Sequence, residues 1–472
     1  MDRRQLITGL ATLPLIGAAA PAGYADDVAI VRAAMALHPG LYRYASPRAV
    51  ADGLDRLAAT WPGASQEARY LALSRFLATL RCGHSYASFF NQKRRVVSAL
   101  FDRPTRLPFH FRWLDGQMVV IAGLDSGLAP GTRITRVNGV ASDRLLAQLM
   151  PYTRADGHND GKRRALLEVR GVDTVEFFDV FQGLLAPPPG GEHHVTGVAP
   201  DGRPVDQRLP AIGLAARRAA MPKAADDGDG ARWTWAMRGD VALLTMPGWA
   251  VYNSKWDWLG WLNDRLDSLG GARGLVIDLR DNEGGLDCGD PILARLVERD
   301  LPPPGYEQRL RYRRTPAELD RYLDTWDNSF RTMGVGGAAL ADGFIARPGG
   351  NDASTIRPDA RRLNLPVATL ISPTNSSAAF HFALMGRASG KVRLFGETTG
   401  GNRRGINGGA FFFVRLPESG LEFDLPLVGY FATTPQPDAG VAPDVPVALT
   451  AADIAAGRDP VLDAALGWIA RA

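Results

Sequence analysis

From Arg232 onward, short apolar runs (VALLTMP, GLVIDLR, PVATLIS and VRLFGE) alternate with segments of helical periodicity (KWDWLGWLNDRLDSL, DPILARLVERD and SSAAFHFALMGRAS). Strands that alternate with helices are joined by crossovers, and crossovers build a largely parallel sheet covered by helices. This pattern sets an α/β domain over residues 232–472. Upstream, DDVAIVRAAMALHPG, SPRAVADGLDRLAATWP and SQEARYLALSRFLATL carry apolar residues at helical spacing, with Ser46 and Ser65 in N-cap positions. A helical region is therefore expected over 26–95. From about Leu107 the pattern shifts to short strands and turns, with an Asn-Gly turn inside GTRITRVNGV. A β-rich or linker region is expected over 96–231, ending in the loop-like stretches LLAPPPGGEHHVTG and MPKAADDGDGAR. Residues 313–359, which include PAELDRYLDTW, interrupt the alternation and read as a helical insertion. A chain of 472 residues exceeds one ordinary core and suits such a division.

Composition narrows the class. With 46% hydrophobic and 22% charged residues, the chain is neither wholly disordered nor a multi-span membrane protein. The net charge of +4 comes from scattered arginines, and the densest run, RLRYRR at 309–314, reads as a solvated face. No nucleic-acid partner is expected. The opening MDRRQLITGLATLPLIGAAAPAGYADD has a basic start, an apolar stretch and small residues suited to cleavage, so residues 1–25 read as a signal peptide. Arg3 and Arg4 followed by Gln5, Leu6 and Ile7 give it the twin-arginine form, which implies a periplasmic or secreted protein. An uncleaved anchor is the alternative, since the apolar stretch is nearly long enough to cross a bilayer. No later segment reads as a membrane span. Trp249, Trp256, Trp258 and Trp261 are expected to pack rather than to form a sugar platform.

Ligand sites of α/β sheets gather where strands end and the next helices begin. Two such junctions stand out: GLVIDLRDNEGGLDCGD at 274–290, and PVATLISPTNSSAAFHFALMGRASG at 366–390. A serine at a helix start is usually only a cap. It can also be a nucleophile whose oxyanion is stabilised by free N–H groups and the helix dipole. The Gly284-Gly285 pair of the first junction can bring a second donor close.

The ordered set VIDLRDNEGG, TNSSAAF and FGETTGG resembles the tail-specific (C-terminal processing) protease family, including the tricorn core peptidase and secreted relatives. The resemblance covers about 240–450. It implies a crotonase/ClpP-like peptidase core of α/β class, with PGTRITRVNGV similar to the small β-rich, PDZ-like segment of these proteins. It further implies Ser377 as nucleophile, with oxyanion donors on Ala378 and on Gly284 or Gly285. Ser376 is the neighbour to exclude.

A serine needs a base. Members with a Ser-Lys dyad carry the lysine at a position that here is Asn402, so the lysine type is disfavoured. Members with a histidine carry it in a motif resembling RCGHSYASFF, which implies His84 as general base, with Gly83 standing where a helper serine sits. His381, one turn after Ser377, is the rival. The acidic position of the family falls on Pro437, and the adjacent Asp438 is the substitute that the resemblance leaves.

Bringing these loops together would also bring Cys82 near Cys288, so a disulfide is expected, with free buried thiols as the alternative. Two cysteines make neither a disulfide scaffold nor a zinc site. The expected activity is hydrolysis of peptides or unfolded chain ends through an acyl-enzyme, with no metal or cofactor required. A non-catalytic peptide- or ligand-binding protein of the same fold is the chief alternative. A crotonase-type acyl-CoA enzyme is the second, disfavoured by the export signal.

Overall fold

The computed structural model describes residues 26–221, 232–252, 254–350 and 355–472. The expected signal peptide at 1–25 lies outside the described residues, as do residues 222–231 of the polar stretch.

The C-terminal part is built on a six-stranded sheet in the order 445–446, 392–396, 367–371, 274–278, 241–245 and 234–238. All neighbours are parallel except the last pair, a hairpin. The central strands 241–245, 274–278 and 367–371 are buried almost throughout, and their successive residues point to opposite covered faces. Leu275 and Ile277 face the helices Trp258–Asp267, Asp290–Leu296 and Ser377–Ser389, whereas Val276 faces the C-terminal helix Pro460–Ile469. The tryptophans pack as expected. Trp249 and Trp261 are buried, and Trp233 stacks edge-on against Trp256 at 4.8 Å.

The N-terminal helices Asp27–Met35, Pro47–Thr60 and Gln66–Thr79 are capped by Asp26, Ser46 and Ser65, whose side chains accept N–H groups two or three residues into each helix. They share one core with two further sheets. The first contains strands 110–114, 117–122, 133–137, 192–198 and 204–210, with the short 140–141 beside 133–137. Its Asn138-Gly139 turn has positive φ at both residues, the geometry that a two-residue hairpin favours. The second is antiparallel and includes the long strands 407–415 and 422–432.

The helical insertion expected over 313–359 is not helical. Its described residues form short 3-10 turns and two-residue strands, and Leu323–Asp324 pairs with Phe413 and Val414. Tertiary pairing overrides the helical spacing there, helped by Arg331, which binds the Asp320 carboxylate at 2.9 Å and the Leu323 carbonyl at 2.8 Å. Among the described residues no helix is long and apolar enough to cross a membrane.

Candidate active site

Strands 274–278 and 367–371 are parallel neighbours, so they release their following loops at the same edge of the sheet. Buried Asn375 welds these loops. Its Nδ2 donates to the carbonyls of Leu279 and Asn282, and its Oδ1 accepts the Ser372 N–H at 2.8 Å. The Asn375 carbonyl then takes the N–H groups of Gly400 at 2.7 Å and Gly401 at 3.0 Å, which brings in the FGETTGG stretch. The three motifs noted in the sequence thus converge on one site.

The helix Ser377–Ser389 opens with Ser377 at φ +50°. A residue with a side chain is strained in that region by about 1–2 kcal/mol, and such strain concentrates at functional sites. Ser376 precedes it and is anchored. Its Oγ is buried, donates to the Glu283 carbonyl at 3.1 Å, and has Lys162 Nζ 3.5 Å away. The two serines therefore differ, with Ser376 fixed in the wall and Ser377 at the helix mouth.

A β-carbon on Gly284 would lie 2.8 Å from Ser377 Cβ and 2.9 Å from the Ala378 nitrogen, so only glycine lets this loop lie against the helix start. On Gly285 it would meet the Trp249 carbonyl at 2.2 Å. The Gly284 N–H is engaged by Asn282 Oδ1 at 2.7 Å, whereas those of Gly285 and Ala378 have no acceptor among the described residues.

His84 follows the third N-terminal helix, beside Phe411, with ring centroids 5.8 Å apart. Burial pushes its pKa down to about 3; Arg154 and Lys162 push the same way, and Glu283 opposes them. The imidazole is neutral near pH 7 and has a lone pair to offer. Its Nδ1 is buried without a partner, and no hydrogen bond joins it to Ser377 among the described residues. His381 is also neutral, burial lowering its pKa to about 4, and its ring lies among Tyr306, Phe380 and Tyr430.

Asp438 is placed differently from expectation. Its carboxylate accepts His158 Nδ1 at 2.6 Å, the His158 N–H at 3.1 Å and Asn402 Nδ2 at 2.6 Å. It is spent on those groups, and no hydrogen bond joins it to His84 among the described residues. The expected disulfide is absent as well. Cys82 and Cys288 are free buried thiols, packed in separate cores, and Asn407 Nδ2 reaches the Cys82 sulfur at 3.2 Å.

Sequence reading missed the segment TRADGHNDGKR at 153–163. Glu283 bridges Arg154 at 2.7 Å and Lys162, whose Nζ also donates to the Thr374 carbonyl at 2.8 Å. Burial alone would raise the Glu283 pKa, but the two cations outweigh it and hold the carboxyl well below the usual range. Asn159 donates to the carbonyls of Thr399 at 2.8 Å and Gly401 at 3.0 Å. The available signal was density: nearly every residue of this run carries a polar group or is glycine, and Lys162 is one of five lysines in the chain.

Two solved structures of mature CPAF share the fold. The first, complexed with lactacystin, is 14% identical, with 94% of this chain and 96% of that chain covered and a TM-score of 0.61. The second is 15% identical, with 94% and 95% covered and a TM-score of 0.59. No curated protein sequence matches the chain. Residues 240–447, which hold both junctions and the glycine-rich third motif, match the family model described as peptidase family S41. The chain thus carries a peptidase family S41 domain over those residues, which marks it as a serine-type peptidase.

Proposed function

We propose that the chain is an exported peptidase that cleaves peptide bonds through an acyl-enzyme on Ser377, with His84 as general base. The observation that carries this is the backbone of Ser377, a strained residue at a helix start pressed against Gly284. In the reaction Ser377 Oγ attacks the substrate carbonyl carbon while His84 takes the hydroxyl proton. The carbonyl oxygen becomes an oxyanion facing the N–H groups of Gly285 and Ala378, aided by the positive end of the helix. The C–N bond then breaks, His84 returns the proton to the leaving amine, and water attacks the ester to release the acid and restore Ser377 Oγ–H. Substrates are peptides or unfolded chain ends. Export rests on the twin-arginine form of residues 1–25.

Labelling of the mature chain with a fluorophosphonate probe tests this reading. Label is expected on Ser377, lost in Ser377→Ala and reduced at least about 100-fold in His84→Ala, as removal of a general base implies. Retention in His381→Ala separates the two histidines. Absence of label in the native chain would instead favour a binding protein of the same fold.

A further inference from the structure

If His84 is the base, an acid should hold its ring and stabilise the imidazolium that forms. Asp438 is occupied by His158 and Asn402. A different carboxylate lies at the histidine loop. Asp156 is 1% exposed, and its Oδ1 accepts the N–H of Gly83, the residue before His84, at 2.8 Å. Its Oδ2 is buried and has no hydrogen-bond partner, and His84 Nδ1 is in the same condition. Two unsatisfied buried atoms of complementary chemistry, on two segments that the Gly83 contact holds together, are costly when apart and favourable when joined.

Gly83 supplies the room. A β-carbon there would lie 2.5 Å from Asp156 Oδ2, so any side chain at position 83 would drive the carboxylate out. The absence of a side chain at position 83 and the placement of the Asp156 carboxylate there thus depend on each other. The carboxylate is also held from behind. Asn402 Nδ2 donates to the Asp156 carbonyl at 3.2 Å and to Asp438 at 2.6 Å, so Asp438 supports the loop that carries Asp156. Arg154, two residues earlier, donates to the Gly83 carbonyl and so ties the same two segments together a second time.

We infer that Asp156 is the acid that positions His84, through Oδ2 and the ring Nδ1–H, and that Asp438 acts only on the loop behind it. This inference rests on the Ser377–His84 reading.

The test measures fluorophosphonate labelling of the mature chain as a maximal rate and a half-saturating concentration. Asp156→Asn keeps the Gly83 contact but offers the ring an amide, and it is expected to lower the maximal rate by about 10²–10⁴-fold with half-saturation within about threefold. Asp438→Asn is expected to lower it by less than about tenfold. Gly83→Ala leaves Asp156 chemically intact but displaces it, and is expected to reproduce the loss. It also stands in if Asp156→Asn does not fold. A deshielded imidazole proton in the NMR spectrum, present in the native chain and in Asp438→Asn but absent from His84→Ala and Gly83→Ala, reports the contact itself. Labelling of Asp156→Asn within threefold of native, or the large loss falling on Asp438→Asn, overturns the assignment. If His84→Ala labels as fast as the native chain, the parent reading falls first.

Discussion

At the residue scale, the strain at Ser377 makes a prediction that separates function from stability. Replacing Ser377 with alanine or glycine removes the hydroxyl equally, so both variants are expected to be inactive. Only glycine accepts φ +50° without cost. Ser377→Gly is therefore expected to be more stable than Ser377→Ala by about 1 kcal/mol, read from urea unfolding midpoints. Equal midpoints would mean that the strain is not stored there. The sequence pointed to the Ser-Ser pair and to His84 by residue type and motif, but not to the partner of the histidine. Asp438 is close to the family's position in the chain, yet Pro437 and the intruding 153–163 segment redirect it to His158. The carboxylate inferred to hold the histidine arrives from 72 residues away and leaves no periodic trace.

At the scale of elements, the parallel sheet was legible because buried strands and amphipathic helices write different periods into the chain. The 313–359 region was not, because its short pieces are held by pairing with a distant strand and by arginine contacts to carbonyl groups. The 153–163 segment failed for the same reason. It is a loop that runs into the short helix Asp160–Leu166, and it is fixed by long-range bonds to Gly83, Glu283, Thr374, Thr399 and Asp438. Glu283 is its keystone, since it bridges two cations at once. Glu283→Gln leaves Arg154 and fully buried Lys162 without the carboxylate that bridges them. Removing one member of a buried ion cluster costs about 3–5 kcal/mol, and partial access of water to Glu283 brings the expectation to about 2 kcal/mol. Lys162→Met should cost less, because Arg154 still answers the carboxylate. Chemical denaturation of the two variants checks the order, and the reverse order would remove Glu283 from this role.

At the scale of the molecule, buried titratable groups of opposite kind shape the response to acid. Burial lowers His38 and His84 to about 3 and His381 to about 4, with Arg43 adding to His38 and Arg154 to His84. Burial raises Asp156 to about 6, Asp424 to about 7 and Glu176 to about 8, with Asp173 and Asp179 adding to Glu176. For the carboxylates, the folded chain binds more protons than the unfolded chain between about pH 4 and their folded values, so acidification through that window stabilises. For the histidines, the unfolded chain binds more protons below about pH 6.5, so acidification there destabilises. Stability should therefore rise as pH falls from 8 to about 6.5, stay nearly level while the two sets oppose each other, and drop below about pH 4, where only the losses continue. Activity follows a different course. The proposed mechanism needs Asp156 ionised to stabilise the imidazolium, so turnover should fall as pH drops through about 6, while the fold persists. Labelling rates and thermal midpoints measured on the same samples between pH 4 and 8 are expected to part company near pH 6, with the lost rate restored on returning to pH 7.5. If rate and midpoint fall together, acid acts by unfolding the chain, and the titration of Asp156 has no separate part in its chemistry.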